Sequence, residues 1–253
     1  MSRVVPAKGL AVFREEAEKN EVSGCRTTTR VHPMKEGFPY LKKTADGLVV
    51  QTTQAKHAEQ LEALQEMVFP TLDKNVLFRA PHYLHHISIF PEGQFVVTDG
   101  DKVVGMTTTI RYHLDENHAH TFAEVIDGGF LNTHEPDGEW LLGLDIGTHP
   151  QWRGRGIARH LYDARQQTVE RLNLRGQYTY GMLSGYGALK GTMRAEDYYA
   201  ELIAGKRKDP TVSRQMANGF EAVKLVSGYL EDPICDNYVV LLVRKNPNFK
   251  PAR

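Results

Sequence analysis

The residues best suited to chemistry lie in a short loop with two glycines. Residues 151–158 read Gln-Trp-Arg-Gly-Arg-Gly-Ile-Ala and stand between a predicted strand and a predicted helix. The first N–H groups of a helix have no partner within it, and the helix dipole places partial positive charge there. Gly154 and Gly156 allow backbone conformations that bring these groups close to a ligand. The loop therefore predicts a site for a diphosphate, with added charge from Arg153 and Arg155.

Two other kinds of phosphate-binding loop fit the sequence poorly. A P-loop ends in Gly-Lys-Ser/Thr, whereas the run Lys190-Gly191-Thr192 has these residue types in the wrong order. A dinucleotide-binding loop needs a small residue at position 159, where this chain has Arg159. A Gly-x-Gly pair before a helix also fits an ordinary turn at the start of that helix, so the pair alone is weak evidence.

The loop must be held by the strand before it and the helix after it. Between Glu139 and His149, apolar side chains at Leu142, Leu144 and Ile146 alternate with other residues, which predicts a strand. After the loop, apolar residues recur at helical spacing, which predicts an amphipathic helix. Further patterns predict strands at 48–52, 94–98, 102–107, 177–183, 220–229 and 237–244, and helices at 53–69, 82–90, 195–204 and 211–218.

The N-terminal part of the chain has less pattern than the rest. Residues 1–46 contain one helical candidate, from Leu10 to Asn20, and are predicted to form an N-terminal extension. Residues 47–253 are predicted to form one domain, with insertions near residues 113–138 and 184–209. The pattern of elements after residue 47 is continuous enough for a single core.

Composition narrows the classes of partner. Lys plus Arg and Asp plus Glu number 31 each, so the molecule as a whole has no attraction to nucleic acid or to anionic membranes. No apolar run approaches the roughly 18 residues that a membrane helix needs. The N-terminus does not have the pattern of a signal peptide, and Cys25 and Cys235 form no metal or redox spacing. We expect a cytoplasmic protein with free thiols. The histidines form no known ligand spacing, and we expect no metal site.

Charge is distributed unevenly around the glycine loop. The segment from Tyr112 to Trp152 contains no Lys or Arg and eight acidic residues, and Arg153 and Arg155 follow it directly. One interpretation is a solvated acidic loop, because charged stretches usually face water. The other is a site that prefers an amine on one side and phosphates on the other.

The run Gln-x-x-Gly-x-Gly-Ile-Ala after a strand that ends in Thr-His-Pro resembles the central motif of the GNAT N-acetyltransferases. The order of predicted elements resembles that family over about residues 47–245. The chain also resembles the GNAT domains that are fused to carbon–nitrogen hydrolases, on the evidence of Phe90 to Phe95, Asp163 to Arg165, and Asp209 to Phe220. Since no room remains for a hydrolase domain, we expect a free-standing transferase.

The resemblance implies a fold and an acyl donor. The expected fold is α/β, with a central mixed, mostly antiparallel, twisted sheet of about six to seven strands flanked by helices. The expected donor is acetyl-CoA, and Arg153 and Arg155 are also expected to reach the 3′-phosphate side of the coenzyme. The backbone of Ile146, Gly147 and Thr148 would pair with the pantetheine arm. The diphosphate would bind the loop residues Gln151, Arg153, Gly154, Arg155, Gly156, Ile157 and Ala158.

The resemblance also suggests catalytic residues. Glu139 and Asp145, on the strand before the loop, are both candidates for the base that deprotonates the attacking amine. A backbone N–H at Gly147 or Thr148 is expected to stabilise the oxyanion. Many members of the family carry a tyrosine that protonates the leaving thiol, but the matching position here is Gln215, which cannot supply a proton. We expect Tyr186 to replace it, with Tyr180, Tyr198 and Tyr199 as alternatives.

The implied reaction moves an acetyl group from acetyl-CoA to a primary amine by direct transfer in a ternary complex. The acceptor would be a small-molecule or peptide amine, and the acidic segment favours a cationic one. An alternative function is a non-catalytic GNAT-like domain that binds acyl-CoA as a sensor or scaffold, which Gln215 favours. Assembly into a homodimer is left open.

Overall fold

The computed structural model describes residues 38–115 and 120–251. In this part of the chain eight strands form one sheet with the order β1-β2-β3-β4-β5-β6-β8-β7. All neighbouring strands are antiparallel except β5 and β6, which are parallel. The strands are β1 Leu41–Lys43, β2 Val49–Thr52, β3 Phe95–Asp99, β4 Lys102–Tyr112, β5 Trp140–Thr148, β6 Gly176–Met182, β7 Glu221–Ser227 and β8 Tyr238–Lys245.

Six α-helices accompany the sheet in the described residues. They are α1 Ala58–Val68, α2 Ala80–Ile89, α3 Phe122–Ile126, α4 Ile157–Arg171, α5 Ala195–Ile203 and α6 Val212–Ala217. None of these helices is long and apolar enough to cross a membrane.

The two faces of the sheet are covered by different helices. Successive side chains of a strand point to opposite faces, and in β3 Val96 packs with α1 and α3 while Phe95 and Val97 pack with α4. Helices α5 and α6 form a further cluster with β8, which contains Val240 and Leu242. The sheet is therefore the middle layer, and α4 lies on the opposite face from α1 and α3.

The predicted fold class is confirmed: the sheet is mixed, mostly antiparallel and flanked by helices. It has eight strands rather than six or seven, because β1 adds a short strand at the edge beside β2. This strand lies within residues 1–46, the predicted extension; the helical candidate Leu10 to Asn20 lies outside the described residues. The first helix begins at Ala58 instead of Thr53, since a 3₁₀ turn over Ala55–His57 precedes it.

The sheet splits between its two parallel strands. Strands β5 and β6 are paired from Trp140 with Gly176 to Gly143 with Thr179, and beyond that point both continue without pairing each other. On the other side of β5 the register with β4 shifts between Thr108 and Thr109, so Leu144 is the extra residue of a β-bulge. A bulge bends its strand and increases the local twist. The bulge therefore accompanies the point at which β5 turns away from β6.

Helix α4 is anchored beneath this split by a buried arginine. Arg165 is 1% exposed, and its guanidinium donates hydrogen bonds to the main-chain oxygen of Asp145 and to the hydroxyl of Thr107. A Cβ at Gly143 would clash with the same guanidinium. The glycine thus leaves the space that the arginine side chain occupies, and the contact fixes α4 against the bulged part of β5.

Candidate acyl-donor site

The loop before α4 has the backbone conformation that the glycines predict. Gly154 has φ of +84° and Gly156 has φ of +75°, and α4 begins at the next residue, Ile157. No side chain caps the N-terminus of this helix. A Cβ at either glycine would meet nothing within 4 Å, so the positive φ, not the lack of space, is what favours glycine here. The first N–H groups of α4 are thus left for a ligand.

The positive charge beside this loop differs in part from the prediction. The side chains of Arg153 and Arg159, together with Arg214 of α6, line a cleft that begins at the loop. Arg155 instead points to the neighbouring turns, where its Nε lies 2.8 Å from Asp46 and its Nη1 lies 3.4 Å from Asp99. The loop is therefore tied down by Arg155, while the side chain of Arg153 borders the cleft. Gln151 is exposed and is not among the residues that line the cleft.

The split in the sheet opens a cleft of about 730 Å³. One wall is the open part of β5, and the facing wall comprises β6 and α6. The start of α4 borders one end, and the end of α1 and the segment after β7 border the other. The cleft therefore extends from the glycine loop, past the split, to the face of the sheet that carries α1 and α3.

The open edge of β5 offers backbone groups to this cleft. The N–H of His149 donates to the carbonyl of Val104 on β4, at 2.9 Å. Because N–H groups alternate sides along a strand, Gly147 directs its N–H towards β4, and Ile146 and Thr148 direct theirs towards β6. No β6 residue pairs with them there. Of the predicted oxyanion donors, Thr148 thus faces the cleft and Gly147 does not.

Asp145 lies at the bulge and lines the cleft. Its side chain is 7% exposed, and its Oδ1 accepts a hydrogen bond from the N–H of Thr108 at 2.5 Å. The Oγ1 of the same threonine donates to Oδ2 at 3.3 Å. The carboxylate therefore takes the place of a strand carbonyl, since the main-chain oxygen of Asp145 has turned towards Arg165.

Burial raises the pKa of Asp145 from 3.8 to about 6. The nearby guanidinium of Arg165 and the hydrogen bonds from Thr108 oppose this shift, because both favour the ionised carboxylate. The result is an acid that is largely ionised at neutral pH and that can still accept a proton. Asp145 is thus the carboxylate of the predicted pair that the structure brings to the cleft.

The structure does not bring Glu139 or Tyr186 to the cleft. Glu139 precedes β5 at the end where β5 and β6 are still paired, and its carboxylate lies 3.0 Å from the Nε of Arg175. Tyr186 is buried against Tyr198, and its hydroxyl donates to the carbonyl of Met193 at 3.2 Å. Counting residues along a strand cannot reveal where its sheet splits, so the sequence alone could not place Glu139 relative to the cleft.

Of the alternative tyrosines, one lines the cleft. Tyr180 does so on the face of α1 and α3, where its ring stacks on Tyr229 with centroids 4.0 Å apart. Tyr198 donates to the carboxylate of Asp209 at 3.1 Å. Tyr199, also on α5, packs against the cluster that contains Tyr198 and does not line the cleft.

Sequence reasoning missed one tyrosine of the cleft. Tyr162 of α4 is 3% exposed and lines the cleft, as does Gln215 of α6. A signal for it was present in the sequence, because Tyr162 lies four residues after Ala158, on the same face of the helix. The residue that departs from the family pattern, Gln215, thus lines the same cleft as a phenol.

The far wall of the cleft is apolar and aromatic. Its residues pack in the cluster of α1 and α3, and they are Val68, Phe69, Phe122, Leu144, Tyr180, Tyr229 and Leu230. Of the acidic residues between positions 112 and 152 that the structure describes, only Asp145 lines the cleft. The described part of the acidic segment therefore gives this wall no negative surface and does not support the predicted cationic preference.

The part of the chain that forms this site matches a known family. Residues 59–180 match the model of the Acetyltransferase (GNAT) family. The matched region runs from α1 to β6 and includes the split, the glycine loop and α4. This region, a little under half of the chain, is similar to the GNAT family.

Known proteins give particular resemblances. Over 221 residues, 87% of this chain and 98% of its relative, it is 28% identical to the uncharacterized N-acetyltransferase YkwB of Bacillus subtilis. It is also 28% identical over 208 residues to the probable hydrolase YhcX of the same species, covering 81% of this chain and only 40% of YhcX. Among solved structures, the GphF GNAT-like decarboxylase in complex with isobutyryl-CoA has a TM-score of 0.66 at 18% identity, covering 78% of this chain and 98% of that one. At this identity the last likeness concerns the fold alone.

Proposed function

We propose that this protein is an acyltransferase that moves an acetyl group from acetyl-CoA to a primary amine by direct transfer in a ternary complex. The observation that carries the proposal is the continuous cleft from the glycine loop to the apolar wall. Such a cleft has room for a donor at one end and an acceptor at the other. The matched family and the relative that is named an N-acetyltransferase support the acyl donor and the amine.

Acetyl-CoA, as the acyl-donor substrate, would bind along two sets of backbone groups. The N–H groups from Gly154 to Ala158 hold the diphosphate, since the N–H of Arg153 donates to the carbonyl of Pro150. The side chains of Arg153 and Arg159 add charge. The open edge of β5 at Ile146 and Thr148 pairs with the amides of the pantetheine arm. The thioester then lies in the split, near the bulge.

The transfer needs an oxyanion donor and a base. The N–H of Thr148 points into the cleft and is the donor that we propose for the oxyanion. Asp145 accepts the proton of the amine, directly or through a water molecule, because its pKa of about 6 leaves it ionised at neutral pH. Among the described residues no cysteine lines the cleft, so a thiol is not at hand to carry the acyl group.

The apolar wall favours an amine that is carried on an apolar or aromatic body. Phe122 and the stacked rings of Tyr180 and Tyr229 give this wall its surface. A polyamine would bring charges to a wall on which the described residues place no acid to pair with them, apart from the buried Asp145 and Asp232.

The test is release of free thiol from acetyl-CoA in the presence of a panel of aromatic amines, polyamines and peptides. We expect at least one amine to release thiol and to be recovered with an added acetyl group, with the aromatic amines preferred. Asp145→Asn should lower kcat by about 100-fold, within the range of general-base losses. Binding of acetyl-CoA without thiol release from any amine would contradict the proposal and favour the sensor.

A further inference from the structure

One buried side chain at the acceptor end of the cleft uses only part of its hydrogen-bonding capacity. Gln65 lies in the last turn of α1, is 2% exposed and lines the cleft. A glutamine amide has an oxygen that accepts hydrogen bonds and a nitrogen that donates them. Because buried polar groups are normally paired, a donor left over at such a position needs solvent or a ligand as its partner.

The hydroxyl of Tyr83 on α2 determines which end of this amide is left over. It donates to Oε1 of Gln65 at 3.1 Å. Tyr83 is 3% exposed, and burial holds its pKa well above the ordinary value of a phenol. At neutral pH the phenol therefore keeps the proton that it donates. Since this bond occupies Oε1, the amide nitrogen of Gln65 is the end that stays available.

The amide nitrogen of Gln65 is available on the side of the cleft. Nε2 makes no hydrogen bond to any described residue. Unlike Nδ1 of His86, which is buried and unpartnered, Nε2 keeps contact with solvent. The rest of the residue is enclosed and the open space beside it is the cleft, so this contact is with the cleft. The protein thus presents a neutral, oriented N–H donor there.

This donor lies near the carboxylate that we propose as the base. The Tyr83 hydroxyl that binds Gln65 also lies 3.7 Å from Sδ of Met106 on β4. Met106 pairs with Gly147 of β5. Asp145 precedes Gly147 by two residues, or about 7 Å along the strand. The amide of Gln65 and the carboxylate of Asp145 therefore border the same short part of the cleft.

A neutral N–H donor selects for an uncharged oxygen on the ligand. It cannot pair with a second ammonium group, which has donors only. A carboxylate would lose its hydration against the apolar wall without a cation to pair with. Among the described residues, the arginines of the cleft, Arg153, Arg159 and Arg214, lie on the glycine loop, α4 and α6, and not on α1. A neutral carbonyl oxygen accepts the N–H without this cost.

We infer that Gln65, oriented by Tyr83, selects an acceptor that has a neutral carbonyl group on the carbon next to its reacting amine. This inference rests on the proposed acyl transfer and narrows its substrate class. In such an α-amino carbonyl compound three bonds separate nitrogen from oxygen, so the oxygen accepts from Nε2 while the amine faces Asp145. An aromatic group on the same carbon packs against the wall of Tyr180 and Tyr229. An amide or ester of an aromatic amino acid has all three features.

The experiment compares phenylalanine amide with phenethylamine in the thiol-release assay, because the two amines share the ring and differ by the carboxamide. They also differ in basicity, so the readout is the ratio of their kcat/KM values in each variant, relative to the same ratio in the wild-type protein. We expect Gln65→Met, which keeps the length of the side chain and removes the donor, to lower this ratio roughly five- to tenfold. The kcat/KM for phenethylamine should stay close to the wild-type value.

Two further variants separate selection of the acceptor from a loss of folded protein. Tyr83→Phe removes the hydroxyl that orients Gln65 and should lower the ratio roughly threefold. Gln60→Met is the matched control on α1, because the side chain of Gln60 bonds to Asp101 and Val103 and does not line the cleft. Its ratio should equal that of the wild-type protein. A loss of folded protein lowers both kcat/KM values equally and leaves the ratio unchanged.

The outcomes distinguish this inference from the proposed function. An unchanged ratio in Gln65→Met, or an equal fall in Gln60→Met, would overturn the inference. So would thiol release by the wild-type protein with other amines but not with phenylalanine amide. A wild-type protein that releases thiol with no amine at all would instead overturn the proposed function.

Discussion

At the scale of single residues, the bulge gives Asp145 two tasks. Its carboxylate completes the β4–β5 ladder by accepting from Thr108, and the same side chain borders the cleft. The guanidinium of Arg165 donates to the displaced main-chain oxygen of Asp145. The N–H of Thr108 and the carbonyl of Asp145 therefore both have hydrogen-bond partners at the bulge. A buried acid that also completes a sheet should influence stability as well as catalysis.

The stability of the protein should therefore depend on the ionisation of Asp145. Its pKa is raised from 3.8 to about 6 by folding, so its contribution is fully present below pH 3.8 and is lost as the pH rises through 6. The loss amounts to about 3 kcal/mol at 1.36 kcal/mol per pKa unit. Urea denaturation of the wild-type protein and of Asp145→Asn measures this contribution. We expect the wild-type free energy of unfolding, relative to that of the variant, to fall by about 2–3 kcal/mol between pH 4 and pH 7.

The asparagine variant is a close match because its Oδ1 can still accept from the N–H of Thr108. Subtracting the two proteins at each pH cancels the other titrating groups that they share. A difference that is flat over this pH range would show that Asp145 does not titrate as its burial indicates.

At the scale of elements, ion pairs to neighbouring turns fix the glycine loop on the side away from the cleft. Arg155 ties it to Asp46, in the turn before β2, and to Asp99, at the end of β3. These ion pairs are partly exposed, and such pairs contribute little to stability because solvent screens them. Arg155 therefore fixes the position of the loop, whereas Arg153 borders the cleft.

Two arginine variants should separate these roles. Arg153→Gln removes a charge that faces the diphosphate, and we expect the Kd for acetyl-CoA to rise roughly tenfold, as for the loss of one hydrogen bond to a charged group. Arg155→Gln removes only contacts to the protein, so the Kd should change by less than about twofold and the Tm should fall slightly. Calorimetric titration at low ionic strength measures both, and equal weakening by the two variants would refute the assignment.

At the scale of the whole molecule, the local features were predictable and the long-range ones were not. The loop, β5 and α4 follow one another in the sequence, so spacing and residue type were sufficient to place Gly154, Gly156 and the helix start. Strand β1 was not predicted because its three residues are too few to show an alternating pattern, and the strand depends on pairing with β2.

The catalytic candidates show the same limit. Tyr162 of α4 and Gln215 of α6 line the same cleft, and no spacing within either segment indicates this. The sequence analysis chose Glu139 by its distance along the chain from the glycine loop. The position of the cleft depends instead on where β5 and β6 separate, next to the bulge and to Arg165. Tyr186 packs in the cluster of α5, α6 and β8. The sequence alone does not show whether such a tyrosine is packed in a core or lines a cleft.

The account depends on main-chain N–H groups at the start of α4 that bind a diphosphate. Calorimetric titration with acetyl-CoA of Gly156→Ala, with Gly205→Ala as the matched control, tests this most directly. Both glycines have positive φ, +75° and +71°, and open space around them, so both substitutions strain the backbone by about 1–2 kcal/mol. We predict that Gly156→Ala weakens binding at least tenfold and that Gly205→Ala leaves the Kd unchanged; equal affinity of the two variants, or no binding by the wild-type protein, would contradict the account.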